Sequence, residues 1–310
     1  MKIVVALGAR ALLKRGELMC ASNQVANLQH VAASLKEAVV RHQIILTHGN
    51  VPQMGLLSLQ AESMAKEVPP LPFDALSAQT QGMLGYWLMQ ALQNEVSHRS
   101  VATLLTQVEV DAEDPAFESP SHCFGPIFEE ALAKRLIHER GWIMKFDGRY
   151  WRRVLASPRP IRVIEIEAIR TLVDAGVTVI AAGGGGIPVV VMDGRLQGKS
   201  ALIEKDDTAS LLATSLKAQR LVFATDIDGI YEDWIEVEPR RLTRVHPFAL
   251  MAMDFASDTM GAKVKAACDF VMKTGREAVI GDLEDIDALI EGEAGTVVTL
   301  KCEETEYEIP

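Results

Sequence analysis

Four consecutive glycines at residues 183–186 form the segment of this sequence best suited to binding an anion. They follow an apolar, β-branched stretch at 177–182, which predicts a buried strand. Glycine has no Cβ, so its backbone N–H groups can approach an anion closely and its φ can be positive. The pattern predicts a phosphate-binding turn, although a flexible tight turn would have the same composition.

Two lysines and an aspartate stand at the predicted starts of two helices. Lys205 and Asp206 come at the start of the helix predicted at 206–216, and Lys263 comes near the start of the one at 260–274. Ammonium groups and helix N-termini both attract phosphate. Phosphoryl transfer depends on positioning and charge neutralisation, so these are candidate catalytic residues, with Asp206 orienting a lysine or holding a Mg²⁺-bound water. The alternative is a solvated surface cap.

A second polar turn at 225–229 follows the strand predicted at 220–225. Its threonine and aspartates can hold a nucleotide or Mg²⁺, or can simply end the strand. Arg152 and Arg153 can clamp an anion, or can form salt bridges within the chain.

Strand-like and helical stretches alternate along most of the chain. This alternation predicts an α/β fold, a three-layer αβα sandwich with a mostly parallel central sheet. Ligands bind such sheets beyond the carboxyl ends of the strands, where the turns at 8–10, 48–52, 183–188 and 225–229 are expected to converge. The other predicted strands are 2–7, 43–47, 101–110, 278–281 and 296–300, and the other predicted helices are 24–40, 81–92, 129–141 and 164–174.

Composition limits the class of protein. The 310 residues are 48% hydrophobic and 24% charged, which is typical of one large globular domain or two joined lobes. A formal charge of −11 argues against a nucleic-acid or anionic-membrane surface. There is no signal-peptide or membrane-spanning apolar run, and the four scattered cysteines contain no CxxC pair. A cytoplasmic protein with reduced thiols and no structural metal is expected.

Residues 111–160 differ in character from the rest. They are rich in Pro, Phe, Trp and Arg, and the strand–helix rhythm weakens. We predict an inserted lid subdomain here, between a first lobe (1–110 with 161–190) and a second lobe (191–302). The acidic end of the chain is expected to be a frayed tail at 303–310.

Taken together, the motifs resemble those of the carbamate kinases, which have the amino-acid-kinase fold, over nearly the whole chain. The matching segments, in order, are 4–8 (VVALG), 47–50 (THGN), 52–55 (PQMG), 80–86 (TQGMLGY), 106–117 (TQVEVDAEDPAF), 151–160 (WRRVLASPRP), 181–190 (AAGGGGIPVV), 204–206 (EKD), 225–231 (TDIDGIY), 260–263 (MGAK) and 292–296 (GEAGT).

The resemblance implies interconversion of ATP and carbamate with ADP and carbamoyl phosphate, using Mg²⁺, by a homodimer. It implies that the first lobe binds the acyl group and the second binds ATP or ADP. The implied catalytic residues are Lys205, Lys263 and Asp206. The implied substrate-binding residues are Gly8, Arg10, Gly49, Asn50, Gly184, Gly185, His122 and Arg153. The implied nucleotide-binding residues are Thr225, Asp226, Tyr231 and Met260.

The departures from the family pattern cluster at the same turns. Ala9 and Arg10 stand where the family has glycine and asparagine, and Val51 stands where it has glycine. Both Ala9 and Val51 would be strained at positive φ. His122 replaces a lid lysine, and Asp258 places an anion near a phosphate site.

Three interpretations therefore remain. The chain is a carbamate kinase with a remodelled acyl pocket, a kinase for another small carboxylate in which Arg10 binds a second negative group, or a catalytically impaired nucleotide-binding paralogue with a regulatory role.

Overall fold

The computed structural model describes residues 1–232, 240–255 and 260–308. The helices in these ranges are α1 (Ala21–Ser34), α2 (Lys36–Arg41), α3 (Val51–Ser63), α4 (Phe73–Glu95), α5 (Glu130–Arg140), α6 (Ile166–Asp174), α7 (Lys205–Ser215), α8 (Pro247–Met251), α9 (Met260–Thr274) and α10 (Ile286–Glu291). The strands are β1 (Lys2–Leu7), β2 (Gln43–His48), β3 (Val101–Thr103), β4 (Gln107–Val110), β5 (His122–Phe128), β6 (Met144–Phe146), β7 (Trp151–Leu155), β8 (Pro160–Val163), β9 (Thr178–Ile180), β10 (Ile187–Met192), β11 (Arg195–Gly198), β12 (Arg220–Thr225), β13 (Ile230–Glu232), β14 (Arg240–Val245), β15 (Glu277–Asp282), β16 (Thr296–Val298) and β17 (Glu306–Tyr307).

Within the described ranges, the central sheet has 10 strands in the order β13-β14-β16-β15-β12-β1-β2-β9-β3, with β17 beside β14. Pairing is parallel from β15 through β12, β1, β2 and β9 to β3. Antiparallel pairs occur toward the other edge, between β13 and β14, β17 and β14, and β15 and β16. The predicted mostly parallel sheet is confirmed.

Alternate residues of β1 pack into two separate cores, one on each face of the sheet. Val4 and Ala6 contribute to the core that contains buried residues of α6, α7 and α9. Ile3, Val5 and Leu7 contribute to the core that contains buried residues of α1, α2, α4 and α10. Successive side chains of a strand point to opposite faces, so a strand covered on both sides reads as a continuous apolar run. The three-layer αβα architecture follows.

Two smaller sheets extend from this sandwich. One has the order β11-β10-β4-β8, and the other has the order β5-β7-β6. The second is antiparallel and lies, with α5, within the segment 111–160. The role of this segment as a lid stays a prediction.

Several sequence-based boundaries need correction. The single strand predicted at 101–110 is wrong, because β3 joins the central sheet and β4 joins the smaller one. Buried Thr106 lies between them, and its N–H donates to Gln81 Oε1 at 2.9 Å. The helix predicted at 24–40 divides at Leu35 into α1 and α2, and α3 begins at Val51, inside the turn predicted at 48–52.

The chain end is more ordered than the expected frayed tail. Glu306–Tyr307 pair with β14, and the carboxylate of Glu308 accepts two hydrogen bonds from Arg241. Among the described residues, no helix combines the length and apolar character needed to cross a bilayer.

Candidate active site

The glycine turn, residues 183–186, connects β9 to β10 through backbone conformations that suit glycine. Gly184, Gly185 and Gly186 have φ of +66°, +87° and +96°. Ala182, just before them, also has a positive φ of +53°. L-residues with a Cβ rarely adopt these angles, so the last three of the four glycines reflect a required backbone shape.

Threonine hydroxyls hold this turn in place. Thr47 Oγ1 donates to the carbonyl of Ala182 at 2.8 Å, and the N–H of Ala182 donates to Thr106 Oγ1 at 3.0 Å. On the other side, Thr208 Oγ1 of α7 donates to the carbonyl of Gly185 at 2.9 Å. The turn is therefore fixed to β2 and to α7, which rules out the flexible-turn alternative.

The neighbours of the turn leave no room for a side chain. A Cβ on Gly184 would lie 2.1 Å from the side-chain amide of Asn50, and a Cβ on Gly185 would lie 2.3 Å from the backbone oxygen of Ile203. Side-chain atoms of Asn50 can rotate away, whereas a backbone carbonyl cannot. Gly185 is consequently the less replaceable of the two.

We expect Gly185→Ala to destabilise the protein by about 3 kcal/mol or more, because it adds a backbone clash to the left-handed strain of about 1 kcal/mol. Gly194→Ala is the matched control. Gly194 has a similar φ of +72° but nothing within 4 Å of the position that a Cβ would take. Gly194→Ala should therefore lose only the stability that backbone strain removes. Urea unfolding measures both, and equal losses would contradict the packing described.

Lys205 and Lys263 meet at one buried carboxylate. Nζ of Lys205 donates to one oxygen of Asp206, and Nζ of Lys263 donates to the other oxygen at 3.0 Å. The Asp206 side chain is only 2% exposed, and those of the lysines are 11% and 15% exposed. Burial excludes the alternative of a solvated surface cap. The two ammonium groups, one from α7 and one from α9, are held at the same carboxylate.

Burial and charge set the protonation states of this trio. Burial opposes ionisation of Asp206, but Lys205 and Lys263 together hold its pKa below the usual value. Burial lowers the pKa of Lys205, and Asp206 opposes that shift. Glu204, the N-cap of α7, has a raised pKa because it is buried and lies near Asp206. We infer an ionised Asp206 between two cations.

His48 is a site residue that the sequence reasoning missed. It ends β2, is 1% exposed, and would collide with a Cβ on Gly183 at 2.5 Å. Its Nδ1 lies 3.0 Å from the carbonyl oxygen of Gly49, the geometry of a donated hydrogen bond. Burial lowers its pKa to about 4, and Lys205 also disfavours the charged form. The ring is therefore neutral near pH 7. The position of His48 after a predicted strand and beside Gly49 was the sequence feature that could have identified it.

The pKa of His48 predicts an acid-sensitive fold. A folded-state pKa of about 4 against an ordinary 6.5 means that the unfolded chain binds the proton more tightly. The contribution of neutral His48 to the free energy of unfolding is complete above about pH 6.5 and is lost as pH falls toward about 4. We expect the free energy of unfolding to fall by about 2 kcal/mol between about pH 7 and about pH 5 from this residue alone.

Urea titrations of the wild type and of His48→Gln at the two pH values measure this difference. The variant should lose less stability on acidification than the wild type. His138→Gln, on the exposed side of α5, is the control and should keep the wild-type pH dependence. Equal acid sensitivity of all three proteins would refute the assignment.

The turn after β1 contacts the end of β12 and the turn that follows it. The N–H of Gly8 donates to the carbonyl of Ala224 at 2.8 Å. Arg10 Nη1 donates to Asp226 Oδ2 at 2.6 Å, with side chains 44% and 43% exposed. A substrate-binding candidate is thus paired with a nucleotide-binding candidate. In this structure Arg10 and Asp226 form a half-exposed ion pair.

The expected backbone strain at two departures from the family pattern is absent. Among the described residues, the non-glycine positions with positive φ are Ala182, Asp193 and Lys217. Ala9 begins a short 3₁₀ helix, Ala9–Ala11, and Val51 begins α3. Both conformations have negative φ, so the condition under which these two residues would be strained is not met.

The nucleotide-binding candidates lie at the carboxyl end of β12 and nearby. Thr225 Oγ1 is 3.3 Å from Asp226 Oδ1, and the hydroxyl of Tyr231 donates to Asp228. Met260 is half-buried at the start of α9 and packs against the core. Their contact with a nucleotide stays a prediction.

His122 reaches the same helix start as Lys205. Its Nδ1 lies 4.0 Å from the Glu204 carboxylate. Burial, with the nearby charge of Arg152, lowers the pKa of His122. A neutral imidazole at this position lacks the positive charge of a lysine.

Arg153 lies in a different environment from the glycine turn. Its Nη1 is 3.2 Å from Ser58 Oγ and 3.8 Å from the Glu62 carboxylate, both on α3. Burial lowers its pKa to about 10, and Glu62 opposes that shift. The guanidinium also lies over the rings of Phe73, Phe124 and Trp142. These contacts fasten β7 to α3 and α4, and substrate binding by Arg153 stays a prediction.

Metal coordination by the protein alone is not supported in the described part of the chain. No group of three or more His, Cys, Asp or Glu side chains there could hold an ion. Asp206 already directs both oxygens to lysines. Mg²⁺ is commonly held by one or two carboxylates plus substrate phosphates, so an ion that arrived with a nucleotide would need few ligands from the protein. Asp258 lies outside the described residues.

Comparison with known proteins agrees with this geometry. Residues 1–282 match the model of the Amino acid kinase family. The carbamate kinase of Rhizobium meliloti (strain 1021) is 43% identical over 303 residues, 96% of this chain and 93% of the relative. That of Escherichia coli (strain K12) is 42% identical over 298 residues, 96% and 99% of the two chains. The solved carbamate kinase from Giardia lamblia bound to AMP-PNP superposes with a TM-score of 0.89 at 33% identity, covering 96% of this chain and 98% of that one. This chain therefore belongs to the amino acid kinase family and, within it, to the carbamate kinases.

Proposed function

We propose that this chain interconverts ATP and carbamate with ADP and carbamoyl phosphate. The observation that carries the proposal is the buried Lys205–Asp206–Lys263 trio beside a rigid glycine turn. The curated carbamate kinases, 42–43% identical over nearly the whole chain, support the choice of substrate.

The proposed reaction needs charge neutralisation rather than a general base. A carbamate carboxylate is already an anion, so its oxygen can attack the γ-phosphorus directly while the bond to the β-phosphate oxygen breaks and ADP leaves. Negative charge is spread over the transferred phosphoryl group in the transition state. Lys205 and Lys263 would neutralise it, Asp206 would hold them in position, and the N–H groups of Gly184 and Gly185 would bind its oxygens.

The nucleotide would occupy the second lobe, beside Thr225, Asp226, Tyr231 and Met260. The Giardia lamblia relative was solved bound to AMP-PNP, which supports an ATP-like ligand here. Mg²⁺, when bound with the nucleotide phosphates, supplies further charge neutralisation. A cytoplasmic homodimer completes the proposal.

The choice between carbamate and a dicarboxylate acceptor depends on whether Arg10 contacts the substrate. Arg10 uses Nη1 to pair with Asp226 at 2.6 Å in a half-exposed ion pair. A guanidinium has five N–H donors, so this pairing leaves donors that could face a second carboxylate.

An acceptor panel tests the proposal. The purified protein is mixed with Mg-ATP and ammonium bicarbonate, which supplies carbamate, or with acetate or succinate, and ADP is measured. ADP formation with ammonium bicarbonate is the expected result. ADP formation only with succinate would support the alternative kinase, and nucleotide binding without turnover would support the regulatory paralogue.

A further inference from the structure

A cavity of about 170 Å³ lies where β7 meets α3 and the start of α4. Most of its wall is apolar and is formed by Ala61, Pro70, Leu71, Pro72, Phe73 and Leu76. The polar part of the wall is formed by Ser58, Glu62, Arg153 and Ser200. Leu71 is 50% exposed, so the cavity reaches the surface at that side. A cavity of about 150 Å³ accommodates a benzene molecule, so this space suits a ligand of similar size.

The cavity is separate from the candidate active site. The residues of the glycine turn and of the buried lysine–aspartate trio do not line it. α3 begins just after Asn50. At about 1.5 Å per residue, Ser58 and Glu62 lie about 12 Å and about 18 Å further along the helix axis. A ligand in the cavity would therefore contact Arg153 without occupying the space beside the glycine turn.

The guanidinium of Arg153 is buried without a full set of acceptors. Its side chain is 14% exposed, and its Nη1 donates to Ser58 Oγ at 3.2 Å. Within the described ranges, its Nε and Nη2 donate to no other group. The rings of Phe73, Phe124 and Trp142 attract the charge but supply no oxygen or nitrogen acceptor. Buried charges in proteins are normally both paired and hydrogen-bonded, so Arg153 has the capacity to bind a further acceptor.

The neighbouring acidic side chain does not balance the positive charge. Glu62 Oε1 is 3.8 Å from Arg153 Nη1, which is beyond hydrogen-bond distance. Glu62 Oε2 is 3.4 Å from Arg140 Nη1. In the described part of the chain, no other acidic group lies within 4.0 Å of either arginine. One carboxylate thus serves two guanidinium groups, and a net positive charge remains beside the cavity.

We propose that this cavity binds a small monocarboxylate that carries a compact apolar group. The planar guanidinium of Arg153 matches the two oxygens of a carboxylate, and the apolar group would pack against Phe73 and Leu76. A phosphate dianion fits less well, because most of the wall is apolar and the Glu62 carboxylate would repel the second charge. The inference is independent of the proposed function and gives Arg153 a ligand other than the substrate.

A bound carboxylate would connect three elements of the fold. Arg153 belongs to β7, Ser58 to α3, and Phe73 to the first turn of α4. Further along α4, Ser77 Oγ donates to the carbonyl of Gly186 at 3.3 Å. The ligand would therefore hold the segment 111–160 against the helix that contacts the glycine turn.

Titration calorimetry of the full chain with benzoate tests the proposal. Benzamide has nearly the same shape but no charge, and it is the matched ligand. We expect benzoate to bind at a single site with a Kd of about 1 mM or lower. Benzamide should bind about tenfold more weakly or worse, because it lacks the charge-assisted hydrogen bonds to Arg153. Benzoate binding should persist in the presence of saturating carbamoyl phosphate, because the two sites are separate.

Two variants locate the bound benzoate. Arg153→Gln removes the cation, and Ala61→Phe fills the cavity while it leaves Arg153 in place. Each should weaken benzoate binding by about tenfold or more. Arg152→Gln is the control, because Arg152 is adjacent on β7 but does not line the cavity, and it should bind benzoate as the wild type does. If Arg153→Gln does not fold, Ala61→Phe provides the same comparison.

Three results would overturn the proposal. They are the absence of benzoate binding, equal affinity for benzoate and benzamide, and unchanged benzoate binding in Ala61→Phe. Competition by inorganic phosphate at an affinity similar to that of benzoate would overturn the choice of a monocarboxylate. None of these measurements depends on ATP formation, so the proposed function is tested separately.

Discussion

Replacing Lys205 with alanine should lower kcat for ATP formation from carbamoyl phosphate and Mg-ADP by about 10²–10³-fold. Its ammonium group lies in a buried setting and is held by Asp206 at the start of α7. Removing one fixed charge-stabilising group from such a site typically has an effect of this size. Asp206 keeps its second partner, Lys263, at 3.0 Å, so the variant should remain folded.

The matched control for this variant is Lys265→Ala. Lys265 also bridges α9 to α7, through Asp207 at 3.0 Å, but its side chain is 46% exposed. An exposed pair contributes about 0–1 kcal/mol to stability, and this one lies outside the buried trio. If Lys265→Ala lost as much activity as Lys205→Ala, the effect would come from helix packing and not from the site.

Asp206→Asn should have the largest combined effect on stability and activity. The change leaves two largely buried ammonium groups facing each other without a counter-ion. Breaking a buried ion pair by removing one partner destabilises proteins by about 3–5 kcal/mol. We therefore expect a loss of that order in the free energy of unfolding, together with a severe loss of kcat, because neither lysine keeps its position.

Acid unfolding gives this prediction a second readout. The pKa of Asp206 is lowered in the folded state from the ordinary 3.8. Its contribution to stability is therefore present above about pH 4 and is lost as pH falls through the folded-state value. The wild type should lose stability more steeply than Asp206→Asn in that range. Asp207→Asn, which affects the exposed pair with Lys265, should resemble the wild type.

The strands and helices that carry the site were largely predictable because their patterns are strong and local. β1, β12 and α9 have the predicted limits. Buried parallel strands read as continuous apolar runs, and polar or glycine-rich turns follow them. That arrangement also predicted the convergence of the glycine turn with the turn that contains Asn50.

Long-range pairing was beyond the sequence reasoning. Lys205 and Lys263 were recognised as helix starts, but their common carboxylate depends on how α7 packs against α9. The Arg10–Asp226 pair joins residues 216 positions apart. Neither packing angles nor side-chain rotamers are encoded in a local pattern.

Local context misled the reasoning at two other places. His48 was overlooked because a single histidine in a turn has no distinctive spacing. Ala9 and Val51 were expected to be strained at positive φ, but both begin helical segments and neither has a positive φ. Backbone conformation at a substituted glycine cannot be read from the identity of the replacement.

The most direct measurement is the rate of ATP formation when the purified protein is mixed with carbamoyl phosphate and Mg-ADP. The proposed function predicts rapid ATP formation, one ATP for each carbamoyl phosphate consumed, and its near abolition in Lys205→Ala. Binding of ADP without any ATP formation would contradict it and would make the chain a nucleotide-binding paralogue.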